Sequence, residues 1–105
     1  MPYPTPITMD NQEYLRLSRD SQTIGDKFYS CINQWLKAPS DGTVRTGCMT
    51  TGSEYEEALK RQVEYLRSLP PSKRRDDALE NCRSFLESLR SQMALLQKGF
   101  GSSGH

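Results

Sequence analysis

The chain has 105 residues, of which 34% are hydrophobic and 26% are charged, and its mean hydropathy is −0.76. A chain of this length and composition forms one small domain with a narrow core, which excludes a large enzyme with a deep substrate pocket. The net charge of +1 excludes a strong overall field that would draw the chain to nucleic acid or to an anionic membrane.

The two ends of the chain differ from the rest in composition. Residues 1–9 contain three prolines, and because proline blocks a helix and donates nothing to a β ladder, we expect an extended N-terminal arm. Residues 100–105 resemble a linker that leads into a histidine tag, so we assign no role to this tail. The start of the chain lacks the pattern of a signal peptide, which fits either a protein that is not exported or one whose signal was removed.

The first predicted helix covers residues 10–37. Asp10 and Glu13 have the spacing of a capping box. Gly25 predicts a bend inside this helix, and Pro39 predicts its end, because the residue before a proline is disfavoured in the helical region. Along the helix an apolar seam advances in alternating steps of three and four, through Tyr14, Leu17, Ser21, Ile24, Phe28, Cys31 and Trp35.

A long loop is predicted between the first and second helices, over residues 38–52. It contains a Pro-Ser-Asp-Gly turn sequence, further glycines and several threonines, with Val44 and Met49 as its aliphatic residues. Loops of this length in a compact domain are either functional or loosely ordered. We therefore expect residues 40–52 to contribute to a binding surface.

The second predicted helix covers residues 53–69 and ends at a pair of prolines. The third covers residues 72–98, with Ser72 as its N-cap, and carries a seam of Leu79, Cys82, Leu86, Leu89, Met93 and Leu96. These elements predict an all-α fold: a small up-down-up three-helix bundle with unequal helix lengths, in a single domain over residues 10–99. No stretch is long and apolar enough to predict a membrane span.

The three cysteines, Cys31, Cys48 and Cys82, fit neither a zinc-site spacing nor a C-x-x-C pair. In an up-down-up bundle, the helical rise of about 1.5 Å per residue puts Cys31 and Cys82 at about the same height. Two interpretations stay open: both are buried core thiols, or they form a disulfide. Free thiols would fit the cytoplasm, whereas a Cys31–Cys82 bridge would indicate a periplasmic or secreted protein.

Residues with catalytic chemistry are scarce in this sequence. Outside the tail there is no histidine, which removes the commonest general base and the commonest zinc ligand. The acidic residues mostly alternate with basic ones on exposed helix faces. We therefore predict no enzyme activity, no cofactor and no catalytic or metal site, and we interpret four aromatic residues as core rather than pocket lining: Phe28, Trp35, Tyr65 and Phe85.

The unequal helix lengths leave two apolar helix ends without a partner inside the chain. One is the start of the first helix, with Tyr14, Leu15 and Leu17, and the other is the end of the third helix. Exposed apolar seams of this kind mark contact sites, so we predict a non-enzymatic protein-binding module of the inhibitor, immunity-protein, chaperone or adaptor type. The predicted docking residues are Val44, Cys48, Met49, Met93, Leu95 and Leu96.

Two alternative functions stay open. In the first, the seams of helices one and three pair between two copies, which would make the protein a homodimeric, self-assembling structural subunit. In the second, the corner formed by Lys73, Arg74 and Arg75 binds nucleic acid or another anion. The interspersed acidic residues favour a solvated corner over this second alternative.

Overall fold

A computed structural model describes residues 6–98, with side chains described from residue 12 onward. This part of the chain contains three α-helices and no strand: α1 Pro6–Lys37, α2 Gly42–Arg67 and α3 Lys73–Lys98. The prediction of an all-α helical bundle is confirmed. The molecule is elongated, with principal extents of 65 × 20 × 16 Å.

Helix α1 includes residues that the sequence analysis placed in the extended arm. Residues 6–9 are helical, and Asp10 lies inside α1 rather than at its N-cap. Pro6 is tolerated because the first helical turn contains N–H groups that have no helical partner in any case. The helix continues through Gly25 to Lys37. The remainder of the predicted arm, residues 1–5, and the predicted tail, residues 100–105, lie outside the described residues.

Helix α2 starts at Gly42 instead of Ser53, so the predicted long loop is wrong. Only residues 38–41 separate α1 from α2. Asp41 is the N-cap of α2, and its carboxylate accepts hydrogen bonds from the backbone N–H groups of Thr43 at 2.9 Å and Val44 at 3.2 Å. The Pro-Ser-Asp-Gly sequence therefore forms a short corner and a helix cap.

The second corner, residues 68–72, leads into α3. The Ser72 hydroxyl oxygen accepts a hydrogen bond from the backbone N–H of Arg75 at 3.0 Å, which is the bond that an N-cap serine makes. Helices α1 and α3 each pack mainly against α2.

The core consists of two clusters, one above the other along the helices. The upper cluster, near the 38–41 corner, contains the buried residues Phe28, Ile32, Trp35, Cys48, Tyr55, Leu59, Leu89 and Leu96. The lower cluster, near the 68–72 corner, contains the buried residues Leu66, Leu69 and Cys82. Because both clusters draw on α2, this helix supplies the centre of the core along most of its length.

Two glycines let the helices approach one another closely. A Cβ on Gly25 of α1 would lie 2.8 Å from Cζ of Tyr55 on α2. A Cβ on Gly52 of α2 would lie 2.9 Å from Cε1 of Phe28 and would overlap the sulfur of Met93. Both distances are shorter than a normal carbon–carbon contact, so a larger residue at either position would displace a core side chain.

Candidate binding groove

A groove runs between α1 and α3, with α2 as its floor. It encloses about 600 Å³. It exists because α1 and α3 both pack on α2 and meet each other at few points. Its lining residues are Tyr14, Ser18, Ser21, Gln22, Gly25, Asp26 and Tyr29 from α1, Tyr55 and Gln62 from α2, and Ala78, Asn81, Cys82, Phe85 and Ser88 from α3.

The floor of the groove contains a buried polar pair. The Ser21 hydroxyl donates to Oε1 of Gln62 at 2.7 Å and also lies 3.0 Å from the Ser18 carbonyl oxygen. Both residues of the pair are only 5% exposed. The base of the groove is therefore polar, and its hydroxyl and amide oxygen are already bonded to each other.

Aromatic rings form much of the upper part of the groove. Tyr29 and Tyr55 lie with their ring centroids 6.3 Å apart and their planes at 80°. The Tyr29 hydroxyl and the Ser88 hydroxyl are 3.2 Å apart, which links α1 to α3 at this level. On the α3 side, Phe85 is 52% exposed, so the prediction that it belongs to the core is wrong. An exposed aromatic ring beside a groove is a typical contact residue for a partner.

The charge lining the groove is negative. Asp26 is the acidic residue among its lining residues, and no lysine or arginine lines it within residues 12–98. Burial raises the pKa of Tyr55 above its ordinary value, and the neighbouring Tyr29, Asp26 and Cys82 add to the effect. Burial likewise raises the pKa of the Cys82 thiol. Both groups are thus held in their neutral forms at neutral pH, and Cys82 lacks the thiolate character of a nucleophile.

A second, smaller cavity of about 310 Å³ lies between α2 and α3. Arg83 on its wall forms ion pairs with Glu80 and, at 2.7 Å, with Glu87. Each of these side chains is about 60% exposed. The charges here compensate one another in solvent, which is typical of a helix surface rather than a binding site.

Most of the predicted docking residues lie in the core or pack against it. Cys48 and Leu96 are fully buried, and Val44, Met49 and Met93 are partly buried against the upper cluster. Only Leu95, at 41%, is an exposed residue of this set. The start of α2 covers the end of α3 that the sequence analysis left without a partner.

The cysteine pairing differs from both interpretations that the sequence left open. Cys31 forms a disulfide with Cys48, with the two Cα atoms 5.5 Å apart, whereas Cys82 is a buried free thiol. The Cys31–Cys82 pairing is therefore corrected to Cys31–Cys48. The physical reason is the early start of α2, which places Cys48 on a helix beside Cys31 instead of in a loop.

The start of α1 has partly found a partner within the chain. Leu17 is buried, and Tyr14 packs against the lower cluster. Leu15 is 50% exposed. The longer α2 accounts for this difference, because its last turns lie beside Tyr14.

The basic corner is mostly compensated by neighbouring groups. Lys73 pairs with Asp77 at 3.0 Å, and Arg75 pairs with Asp76 at 3.3 Å while also donating to the Leu69 carbonyl oxygen at 3.2 Å. Arg74 is exposed. These pairs leave little free positive charge for an anion.

Asp26, Tyr29 and Gln62 were not predicted to belong to a common site. They lie beside the apolar seams rather than in them, so a count of apolar periodicity passes over them. One signal was present: Tyr29 and Asp26 are three residues apart and share a face of α1 with Gln22.

The comparisons with known proteins add no relationship. No protein family, no curated protein and no solved structure matches this chain. Among the side chains that the structure describes, from residue 12 to residue 98, no group of three or more metal-ligating residues is placed to hold an ion. None of the described helices is long and apolar enough to cross a membrane.

Proposed function

We propose that this protein is a non-enzymatic protein-binding module whose α1–α3 groove takes one helix of a partner protein, with a Lys or Arg side chain directed to Asp26. The observation that carries the proposal is the lining of the groove. It combines four aromatic residues and a carboxylate with no basic residue from the described part of the chain: Tyr14, Tyr29, Tyr55, Phe85 and Asp26.

The length and shape of the groove support a helical partner segment. On α1 the lining runs from Tyr14 to Tyr29, which corresponds to about 22 Å at 1.5 Å per residue. A helix of about 15 residues has this length, and as a fourth helix it would complete a bundle. The groove requires an up-down-up course of α1, α2 and α3, which the Ser21–Gln62 and Arg45–Leu96 hydrogen bonds support.

A cationic side chain on the partner suits the chemistry of the upper groove. Tyr29 and Tyr55 both line this part of the groove, and Tyr29 is the more exposed of the two, so we propose that an incoming ammonium or guanidinium group packs against the Tyr29 ring. Such a cation–π contact, together with the Asp26 carboxylate, favours Lys or Arg over an acidic residue. The apolar stem of the same side chain would cover Phe85.

The Cys31–Cys48 disulfide supports an oxidising location for this module. Disulfides persist in the periplasm and outside cells, and they are rare in the cytosol. We therefore propose a periplasmic or secreted protein of the inhibitor, immunity-protein or adaptor type.

Two designed peptides test the proposed binding. Both are amphipathic 16-residue helices with the same leucine stripe, and they differ only in carrying two lysines or two glutamates beside it. Fluorescence anisotropy should show at least about tenfold tighter binding of the lysine peptide, and added salt should weaken that preference because the charges are partly exposed. Equal affinity for the two peptides would contradict the proposed charge preference.

Two variants and a matched control locate the binding surface. Phe85→Ala should weaken the binding of both peptides, and Asp26→Asn should weaken the binding of the lysine peptide only. Leu36→Ala is the control, because Leu36 is 49% exposed but does not line the groove. If Leu36→Ala weakens binding as much as Phe85→Ala, the groove is not the binding surface.

A second copy of the chain is the alternative occupant of the groove. The exposed Leu15 and Phe85 of α1 and α3 favour this self-assembling form. Light scattering at tens of micromolar distinguishes the two: a dimer that Phe85→Ala dissociates would replace the partner helix with a second copy. Nucleic-acid binding gains no such support, since Lys73 and Arg75 are paired within the chain.

A further inference from the structure

The first three turns of α2, residues 42–52, are helical despite a sequence that disfavours a helix. This segment, the latch segment, has the sequence GTVRTGCMTTG, with three glycines and four threonines. Glycine and threonine are poor helix formers, because glycine loses much backbone entropy and threonine loses side-chain freedom. Contacts with the rest of the molecule must therefore hold the latch segment in helical form.

Besides the packing of Cys48, Val44 and Met49 in the upper cluster, three attachments hold the latch segment. Its start is capped by Asp41. Its middle is joined to α1 by the Cys31–Cys48 disulfide. On its other side, the Arg45 guanidinium donates to the backbone carbonyl oxygens of Leu96 and, at 2.8 Å, of Gln97. Of these attachments, only the disulfide is covalent and open to redox chemistry.

We propose that the Cys31–Cys48 disulfide is a redox-controlled latch, whose reduction lets residues 42–52 leave the helical bundle and uncovers the upper end of the core. The surface uncovered includes Leu96 and Met93 of α3. This proposal goes beyond the binding function and does not depend on the α1–α3 groove.

The reaction is a thiol–disulfide exchange with a dithiol reductant. A thiolate of the reductant attacks the sulfur of Cys31, which is half-buried whereas Cys48 is fully buried. The Cys48 sulfur leaves as a thiolate and takes up a proton, and the second thiol of the reductant then displaces Cys31. Two electrons and two protons pass to the protein, the S–S bond becomes two S–H groups, and the reductant becomes a disulfide.

Reduction loosens the latch segment because it removes a cross-link between positions 17 residues apart. Closing a loop of this size corresponds to a factor on the order of 100 in the equilibrium between closed and open forms. Without it, only the Asp41 cap, the Arg45 hydrogen bonds and local packing keep residues 42–52 helical against their weak helix propensity.

Hydrogen exchange of the full chain, with and without dithiothreitol, tests the proposal. In the reduced protein the amides of residues 43–52 should exchange on the order of 100-fold faster, while those of residues 55–66 keep their protection. A Cys82→Ser variant should respond in the same way, since Cys82 is not bridged. Unchanged exchange in residues 43–52, or equal loss of protection along all three helices, would overturn a local latch.

Two further variants separate the latch from simple loss of folding. Cys31→Ser combined with Cys48→Ser should show the fast exchange of residues 43–52 without reductant and should not respond to it. Gly47→Ala should slow the exchange of residues 43–52 in the reduced protein by up to about fivefold, because a Cβ there has no atom within 4 Å and alanine favours the helix by about 1 kcal/mol. Failure of Gly47→Ala to slow exchange in the reduced form would show that helix propensity does not control the segment.

Discussion

Gly52 lies where α2 passes between Phe28 of α1 and Met93 of α3. The Phe28 ring is fully buried and has no room to move away from a new Cβ, although the end of Met93 can rotate. The close approach of the three helices therefore depends on a residue without a side chain. Gly52 limits how near α2 can come to both of its neighbours, as Gly25 does for α1 and α2.

We expect Gly52→Ala to lower the free energy of unfolding by about 1–3 kcal/mol, because overpacking outweighs the better helix propensity of alanine. Gly47→Ala is the matched control, since a Cβ at Gly47 meets no atom within 4 Å. This control should raise the free energy of unfolding by up to about 1 kcal/mol. Urea unfolding measures both variants. Stabilisation by Gly52→Ala would show that the core accommodates the methyl group.

Arg45 connects the start of α2 to the end of α3. Its guanidinium satisfies carbonyl oxygens of the last turn of α3, which have no partner within the helix, and its positive charge suits the negative end of the helix dipole. The same side chain thus caps one helix and attaches another.

Arg45→Gln should lower the free energy of unfolding by about 1–2 kcal/mol, since hydrogen bonds from a charged donor are lost. The control is Arg90→Gln: Arg90 is 59% exposed and lies 3.5 Å from Glu56, so its loss should cost less than about 1 kcal/mol. Thermal unfolding compares the two. Equal effects would mean that Arg45 acts only as a surface charge.

Helix α2 shows where local sequence information fails in this molecule. Ser53 and Glu56 form a capping-box pattern, and the glycines before them predict a loop, yet the helix begins at Gly42. Helix propensity is a weak preference that tertiary contacts override, and here the disulfide, Arg45 and the burial of Cys48 supply them. Asp41 belongs to the Pro-Ser-Asp-Gly turn sequence, which was predicted as part of a loop, and the same aspartate caps the helix that follows.

The molecule as a whole has an apolar core divided by a polar layer. The Ser21–Gln62 pair lies between the upper cluster and the lower cluster, judged by its position along α1 and α2. Apolar periodicity predicts which face of each helix turns inward, which is why both seams contribute to the core. It does not predict how far α1 and α3 separate, so the groove between them was beyond the sequence pattern. Phe85 illustrates this limit, because it was predicted to lie in the core but is 52% exposed beside the groove.

The polar layer should set the register of α1 against α2, because the Ser21 hydroxyl is the donor that the buried Oε1 of Gln62 has across the two helices. We expect Ser21→Ala to lower the free energy of unfolding by about 1–3 kcal/mol, since Oε1 of Gln62 loses its donor. Gln62→Leu should cost less, because the Ser21 hydroxyl keeps the Ser18 carbonyl oxygen at 3.0 Å.

The double variant Ser21→Ala with Gln62→Leu joins the two clusters into one apolar core. It should be less destabilised than the sum of the single variants by at least about 0.5 kcal/mol, because neither buried group is then left without its partner. Urea unfolding of the four proteins in this cycle gives the coupling. Additive effects would mean that the pair does not interact in solution, and the register would then depend on the upper cluster, the close approach at Gly25 and the disulfide.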